Sequence, residues 1–258
     1  MSIVVSNKQK IHYKLAGDKG PWMLLHPPHL IPMKAWEDEG YVKQLEKDFR
    51  LVMIEPLGQG LSDAPEDSSH YTISCRIRHV LDIMREVQVD SAFFFGVGLG
   101  AQVGFQISKE FPRRIRSLIS VGAQPYQELE EAKYLKEKLD KLRSGNVSAY
   151  LQQWHSLDHL SEEQEKVILG GNPEAYALGL KESINWEGLG DDIKTLGTAT
   201  LLITAKAEPR FLSVRDAGKR LRNGRYVIIP KVLHSHGLWN SELIIKHLLE
   251  FTRRERSN

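Results

Sequence analysis

A single cysteine, Cys75, occurs among 258 residues. No internal disulfide can form, and no cluster of thiolates can hold a metal. No run of 18 apolar residues is present, so no segment is a candidate membrane-spanning helix. The start, Met1-Ser2-Ile3-Val4-Val5, lacks the basic stretch and long apolar run of an export signal. The cytoplasm is the expected compartment. An excess of one charge sign is also missing: 35 Lys and Arg against 33 Asp and Glu leave +2, scattered along the chain, so neither nucleic acid nor a membrane is an expected partner. The tail Arg253-Arg254-Glu255-Arg256 reads as a solvated end. With only 11 prolines, no internal repeats, 41% hydrophobic and 26% charged residues, the chain has enough apolar material for a large core and none of the composition of a disordered one.

What is present is an alternation. Short apolar segments at Ile3–Val5, Ile11–Ala16, Trp22–His26, Phe49–Glu55, Ala92–Gly96, Ser117–Gly122, Thr200–Ala205 and Tyr226–Pro230 read as strands. Amphipathic stretches at Trp36–Lys47, Thr72–Val87, Ala101–Phe111, Val214–Leu221 and Ser241–Arg253 read as helices between them. This order predicts an α/β fold, a mostly parallel sheet with helices on both faces, opened by an antiparallel hairpin. From Gln127 to Asp192 the alternation stops, and the chain reads as helices only: Glu128–Ser144, Val147–Ser156, Ser161–Leu169 and Pro173–Ser183. The expected organisation is a core of residues 1–126 and 191–258 with a helical cap of residues 127–190.

Directly after the apolar run Ala92-Phe93-Phe94-Phe95 come Gly96-Val97-Gly98-Leu99-Gly100 and then a helix. Strand, glycine-framed turn and helix are the setting of a nucleophile elbow, G-x-S-x-G, with Gly98 in the serine position. Three further segments follow the same pattern in order: Leu24-Leu25-His26; Glu55-Pro56-Leu57-Gly58-Gln59-Gly60-Leu61-Ser62-Asp63; and the pair Ala205-Lys206-Ala207-Glu208-Pro209 with Leu233-His234-Ser235-His236-Gly237. On these segments the chain resembles the α/β-hydrolase fold family over nearly its whole length. The resemblance implies an orienting acid at Glu208, a histidine base at His234 or His236, and an oxyanion hole near Pro27, Pro28 and the backbone N–H of Leu99.

The chain departs from that family in chemistry. Gly98 has no side chain to attack a carbonyl, and Pro27 and Pro28 have no backbone N–H to donate. Gly98 either satisfies a turn that needs unusual backbone angles or opens room for a ligand. His26 and His29 beside the prolines, and the aromatic residues Tyr126, Trp154, Tyr176, Trp186 and Trp239, are candidate binding residues, each with an ordinary packing role as the alternative. His155 and His159 lie four apart but lack a convincing third ligand, so neither a metal nor another cofactor is expected. A dinucleotide loop would need glycine at position 101, where alanine stands.

Losing the serine of such a triad costs about a factor of a million in turnover. Three readings remain: an enzyme in which histidine and glutamate act by general acid–base chemistry on a small, largely apolar ester, ketone or lactone; a binding protein for such a molecule; and a serine hydrolase whose nucleophile was replaced. Nothing in the sequence fixes an oligomeric state.

Overall fold

The computed structural model describes residues 2–126, 129–155, 160–206, 210–229 and 241–256. An eight-stranded sheet runs through them, built from β1 (Ser2–Ser6), β2 (Gln9–Ala16), β3 (Trp22–His26), β4 (Arg50–Ile54), β5 (Ala92–Val97), β6 (Ile115–Val121), β7 (Ala199–Ala205) and β8 (Gly224–Ile229), in the spatial order β1-β2-β4-β3-β5-β6-β7-β8. The first two pairings, β1 with β2 and β2 with β4, are antiparallel, and all others are parallel. The mostly parallel sheet with its opening hairpin is thus the expected one.

Alternation along the strands sends side chains to two cores. Met23, Leu25, Phe93 and Phe95 face one side and pack with Trp36, Tyr41 and residues of the last helix, α10 (Ser241–Arg256). Leu24, Phe94, Val52 and Ile54 face the other, against α3 (Ile73–Glu86), α4 (Leu99–Glu110) and α9 (Phe211–Arg220). Both faces are covered, which is why the central strands are apolar throughout rather than alternating with polar residues.

The helix expected over Trp36–Lys47 is two helices, α1 (Ala35–Asp38) and α2 (Tyr41–Leu45). Gly40 between them has φ 77°, a left-handed conformation that ends one helix and redirects the next. Between β6 and β7 lie α5 (Leu129–Arg143), α6 (Val147–His155), α7 (Glu162–Leu169) and α8 (Pro173–Ile184), and this block adds no strand to the sheet. Ser161 caps α7 in a reciprocal capping box with Gln164, and Asn172 caps α8 ahead of Pro173.

Because β4 lies on one side of β3 and β5 on the other, the chain reverses its winding direction between β3 and β5. In open α/β sheets a crevice forms at such a switch point, beyond the carboxyl ends of the strands. His26 ends β3 directly beside Gly96 of β5, so the switch point brings the His26-Pro27-Pro28 segment against the glycine turn.

Candidate functional site

All six residues of β5 are buried, and so are Leu99, Gly100 and Ala101, whereas Gly98 between them is half-buried. Its backbone, at φ 52° and ψ −120°, lies in a region that side chains disfavour. The turn is tied down on both sides: Gly98 N–H donates to Val121 O at 2.9 Å, and Ala101 N–H donates to Gly98 O at 3.0 Å.

The three glycines of the turn are present for different reasons. A Cβ on Gly96 would stand 2.6 Å from Ala101 Cα, and one on Gly100 would stand 2.4 Å from His26 O and 2.7 Å from its Nδ1. Close approach of backbones explains those two. A Cβ on Gly98 would meet only Pro28 Cβ, at 3.4 Å. Packing leaves room for a side chain at position 98, and the chain supplies none.

Opposite the turn, Pro27 and Pro28 are buried and offer no N–H. His26 is 5% exposed, stacks on Phe94 with ring centroids 6.2 Å apart, and donates from Nδ1 to Pro27 O at 3.1 Å. Burial lowers its pKa to about 4, with the Arg76 cation adding to the effect, so the ring is neutral at pH 7. His26 braces the loop. Two donors do survive near Gly98: the N–H groups of Leu99 and Gly100 open α4, and the first N–H groups of a helix have no partner within it.

Behind the turn is a small, partly open cavity of about 20 Å³, room for about one water molecule. His26, His29, Gln59, Arg76, His79 and Tyr176 are among its polar lining. His29 Nε2 donates to Tyr176 O at 2.9 Å, which leaves Nδ1 as a bare acceptor; burial first and the Arg76 cation second lower the pKa of His29 to about 3. His79 is lowered to about 4 by the same two causes, in the same order. Gln59 Oε1 and His79 Nε2 are, like His29 Nδ1, buried without a hydrogen-bond partner. Arg76 itself bonds Tyr71 O at 3.0 Å, Ser183 Oγ at 2.8 Å and Gly179 O. Together Arg76 and His29 fasten α8 to the sheet's loops and to α3.

Arg76, His79 and Gln59 were not among the candidates from sequence. A signal existed: positions 76, 79 and 80 share one face of α3, whose N-cap is Thr72. The half-buried Arg76 and the buried His79 on that face mark a polar site next to it.

The Glu55–Asp63 segment is a fastening. Glu55 Oε2 lies 2.7 Å from His12 Nδ1 and accepts from Leu61 N–H at 2.9 Å. Ser62 Oγ donates to Glu55 O at 2.6 Å and accepts from His12 N–H. Gly60 is required because a Cβ there would fall 2.0 Å from Glu55 Oε1.

The remaining sequence candidates divide three ways. Tyr176 lines the cavity and donates its hydroxyl to Ile168 O at 3.1 Å. Tyr126 and Trp186 do not line it: Tyr126 donates its hydroxyl to Ser213 O at 2.8 Å, and Trp186, 5% exposed, donates Nε1 to Gln106 Oε1 at 2.9 Å within the core on the α4 face. Both bonds hold the rings against core helices, which is a packing role. Trp154 lies on α6, its side chain outside the described residues; Glu208, His234, His236 and Trp239 also lie outside them.

Comparison with known proteins follows the geometry. Residues 29–167, more than half of the chain, match a family model described as the alpha/beta hydrolase fold. A putative 2-succinyl-6-hydroxy-2,4-cyclohexadiene-1-carboxylate synthase from Bacillus subtilis is 21% identical over 229 residues, 82% of this chain and 84% of that protein. Epoxide hydrolase 4 of Mus musculus is 27% identical over 114 residues, 44% of this chain but only 31% of its own length. Among solved structures, the enol-lactonase from Burkholderia xenovorans superimposes with a TM-score of 0.82 at 19% identity, covering 98% of this chain and all of that one. MenH from S. aureus does so at 0.82 and 15% identity, over 95% of this chain and 99% of that one.

Proposed function

This chain belongs to the α/β-hydrolase fold family, and from that premise we propose that it acts on a small, largely apolar ester-, ketone- or lactone-like molecule without a covalent serine intermediate. One observation carries the reading: Gly98 stands half-open at the end of a buried strand, with nothing but Pro28 Cβ near the place a side chain would occupy. A water molecule or the reacting part of a substrate fits where the nucleophile's side chain would stand. The N-terminus of α4, with the N–H groups of Leu99 and Gly100, favours negative charge developing there. His234, with His236 as the competing ring, is the general base in this scheme, and Glu208 orients it.

The relatives support the substrate class and the breadth of the chemistry. One is named an enol-lactonase and another a synthase, so proteins of this fold are not confined to ester hydrolysis. The missing N–H groups at Pro27 and Pro28 favour a second reading, a protein that binds such a molecule without converting it. Residues 127–190 act as the cap over the site in either case.

The two readings separate experimentally. A ligand is first identified by mass spectrometry of what co-purifies or by thermal shift, and then incubated with wild type, His234→Ala and His236→Ala. Conversion by wild type, lost in one histidine variant while affinity stays within about threefold, supports acid–base catalysis, because proton transfer matters mainly in the transition state. Equal conversion by all three removes the histidines from the mechanism. Unchanged ligand in every sample leaves the binding reading.

A further inference from the structure

At the opposite edge of the sheet, the amino ends of β6, β7 and β8 border an open groove of about 630 Å³. Among the described residues, its wall includes Arg116, Arg222 and Arg225, with Glu255 of α10 as the one carboxylate. These residues are far apart in sequence, and the parallel register gathers them: Ile115 begins β6, Ala199 begins β7 and Gly224 begins β8. The strands are six or seven residues long, which puts this groove on the order of 20 Å from the carboxyl-end site.

None of the three arginines has a carboxylate partner among the described residues. Arg116 lies over the Phe93 ring, 5.2 Å from its centroid, and Arg225 over Phe251 at 6.0 Å. Stacking of this kind fixes the guanidinium plane while leaving its N–H edge free to donate. Thr198 also lines the groove; it is 7% exposed, and its hydroxyl has no hydrogen-bond partner. An ungathered hydroxyl at a buried position costs free energy unless something bonds it. Gly197 beside it presents bare backbone, with nothing within 4 Å of the place a Cβ would occupy.

We propose that this groove, with Arg116, Arg222, Arg225 and Thr198, binds the phosphate group of a phosphorylated molecule. Three guanidinium groups against one carboxylate leave two positive charges, which match the charge of about −1.5 to −2 on a phosphomonoester at pH 7. The planar donor forks match phosphate oxygens bidentately. The groove is larger than a phosphate and falls within the size range of small-molecule sites, about 300–1,000 Å³, so the phosphate is attached to a larger body.

Pyrophosphate and vesicles of phosphatidic acid in phosphatidylcholine probe the two sources of such a group. Titration calorimetry of the full chain with pyrophosphate is compared with that of the Arg222→Gln/Arg225→Gln variant. Both positions are exposed, so the variant's melting temperature without ligand serves as the control for folding. The expected result is salt-sensitive binding that weakens at least tenfold in the double variant and several-fold in Thr198→Val. Pyrophosphate binding without vesicle sedimentation assigns the phosphate to a soluble molecule, and sedimentation lost in the double variant assigns it to a lipid headgroup. Binding of neither probe, or equal binding by wild type and the double variant, overturns the proposal.

Discussion

Gly98 and Pro28 face each other across the turn, and in the proposed site the first offers no side chain and the second no N–H. Wild-type protein should therefore take up no fluorophosphonate, and intact-mass spectrometry should find no adduct. Gly98→Ser tests the two losses separately. The new side chain has space, since only Pro28 Cβ approaches the Cβ position, but the backbone at φ 52° resists it. We expect a cost of about 1–3 kcal/mol in stability, read from denaturant unfolding. Activity on activated esters should stay near background, because Pro28 still has no N–H to share a developing oxyanion with Leu99. A large gain in esterase activity would mean that another group supplies the missing donor.

Helices α3 and α8 meet through side chains that reach from one to the other. Arg76 bonds three neutral acceptors, two of them on α8, and its positive charge adds to burial, the larger cause, in keeping His29 and His79 deprotonated. Burial lowers the pKa of Arg76 to about 10, so the guanidinium is charged at pH 7. Arg76→Met keeps the apolar stem and removes the charge and all three bonds. The expected outcome is a loss of about 1–3 kcal/mol, since Gly179 O and Tyr71 O lose a donor. NMR titration of the same variant should show His29 and His79 protonating at higher pH than in wild type. Unchanged titration would separate Arg76 electrically from the two imidazoles.

Among the described residues, three imidazoles are folded in neutral form: His26 and His79 with pKa about 4 and His29 about 3. The unfolded chain binds a proton at each below about pH 6.5, while the native protein does not until pH falls much further. Stability is thus fully present above pH 6.5 and falls progressively from there toward pH 4. At pH 5 the loss is roughly 2 kcal/mol for each ring. Chemical denaturation at pH 7.5 and pH 5 should reveal it, and His79→Gln, which cannot titrate, should flatten the dependence. A pH-independent stability over this range would place the rings in water in the native state.

Strand positions, the helix-only block and the strand, glycine turn and helix around Gly98 were legible in the sequence, because each is written in local terms: apolar runs bounded by turns, 3.6-residue periodicity and glycine spacing. The split at Gly40 was missed, since a glycine within an amphipathic pattern shows its left-handed angle only when neighbouring elements demand it. The proposed departure from serine chemistry rests on residues read directly from the sequence, since a glycine without a side chain and a proline without an N–H carry their limits in any fold. Tertiary structure alone decided what faces what. It set Trp186 against Gln106 in the core, turned His29 toward the backbone of α8, placed Arg76 and His79 behind the elbow, and brought three scattered arginines to one edge of the sheet. Such juxtapositions depend on strand order and register, which arise from packing between segments distant in the chain and leave no periodic signal within any one of them.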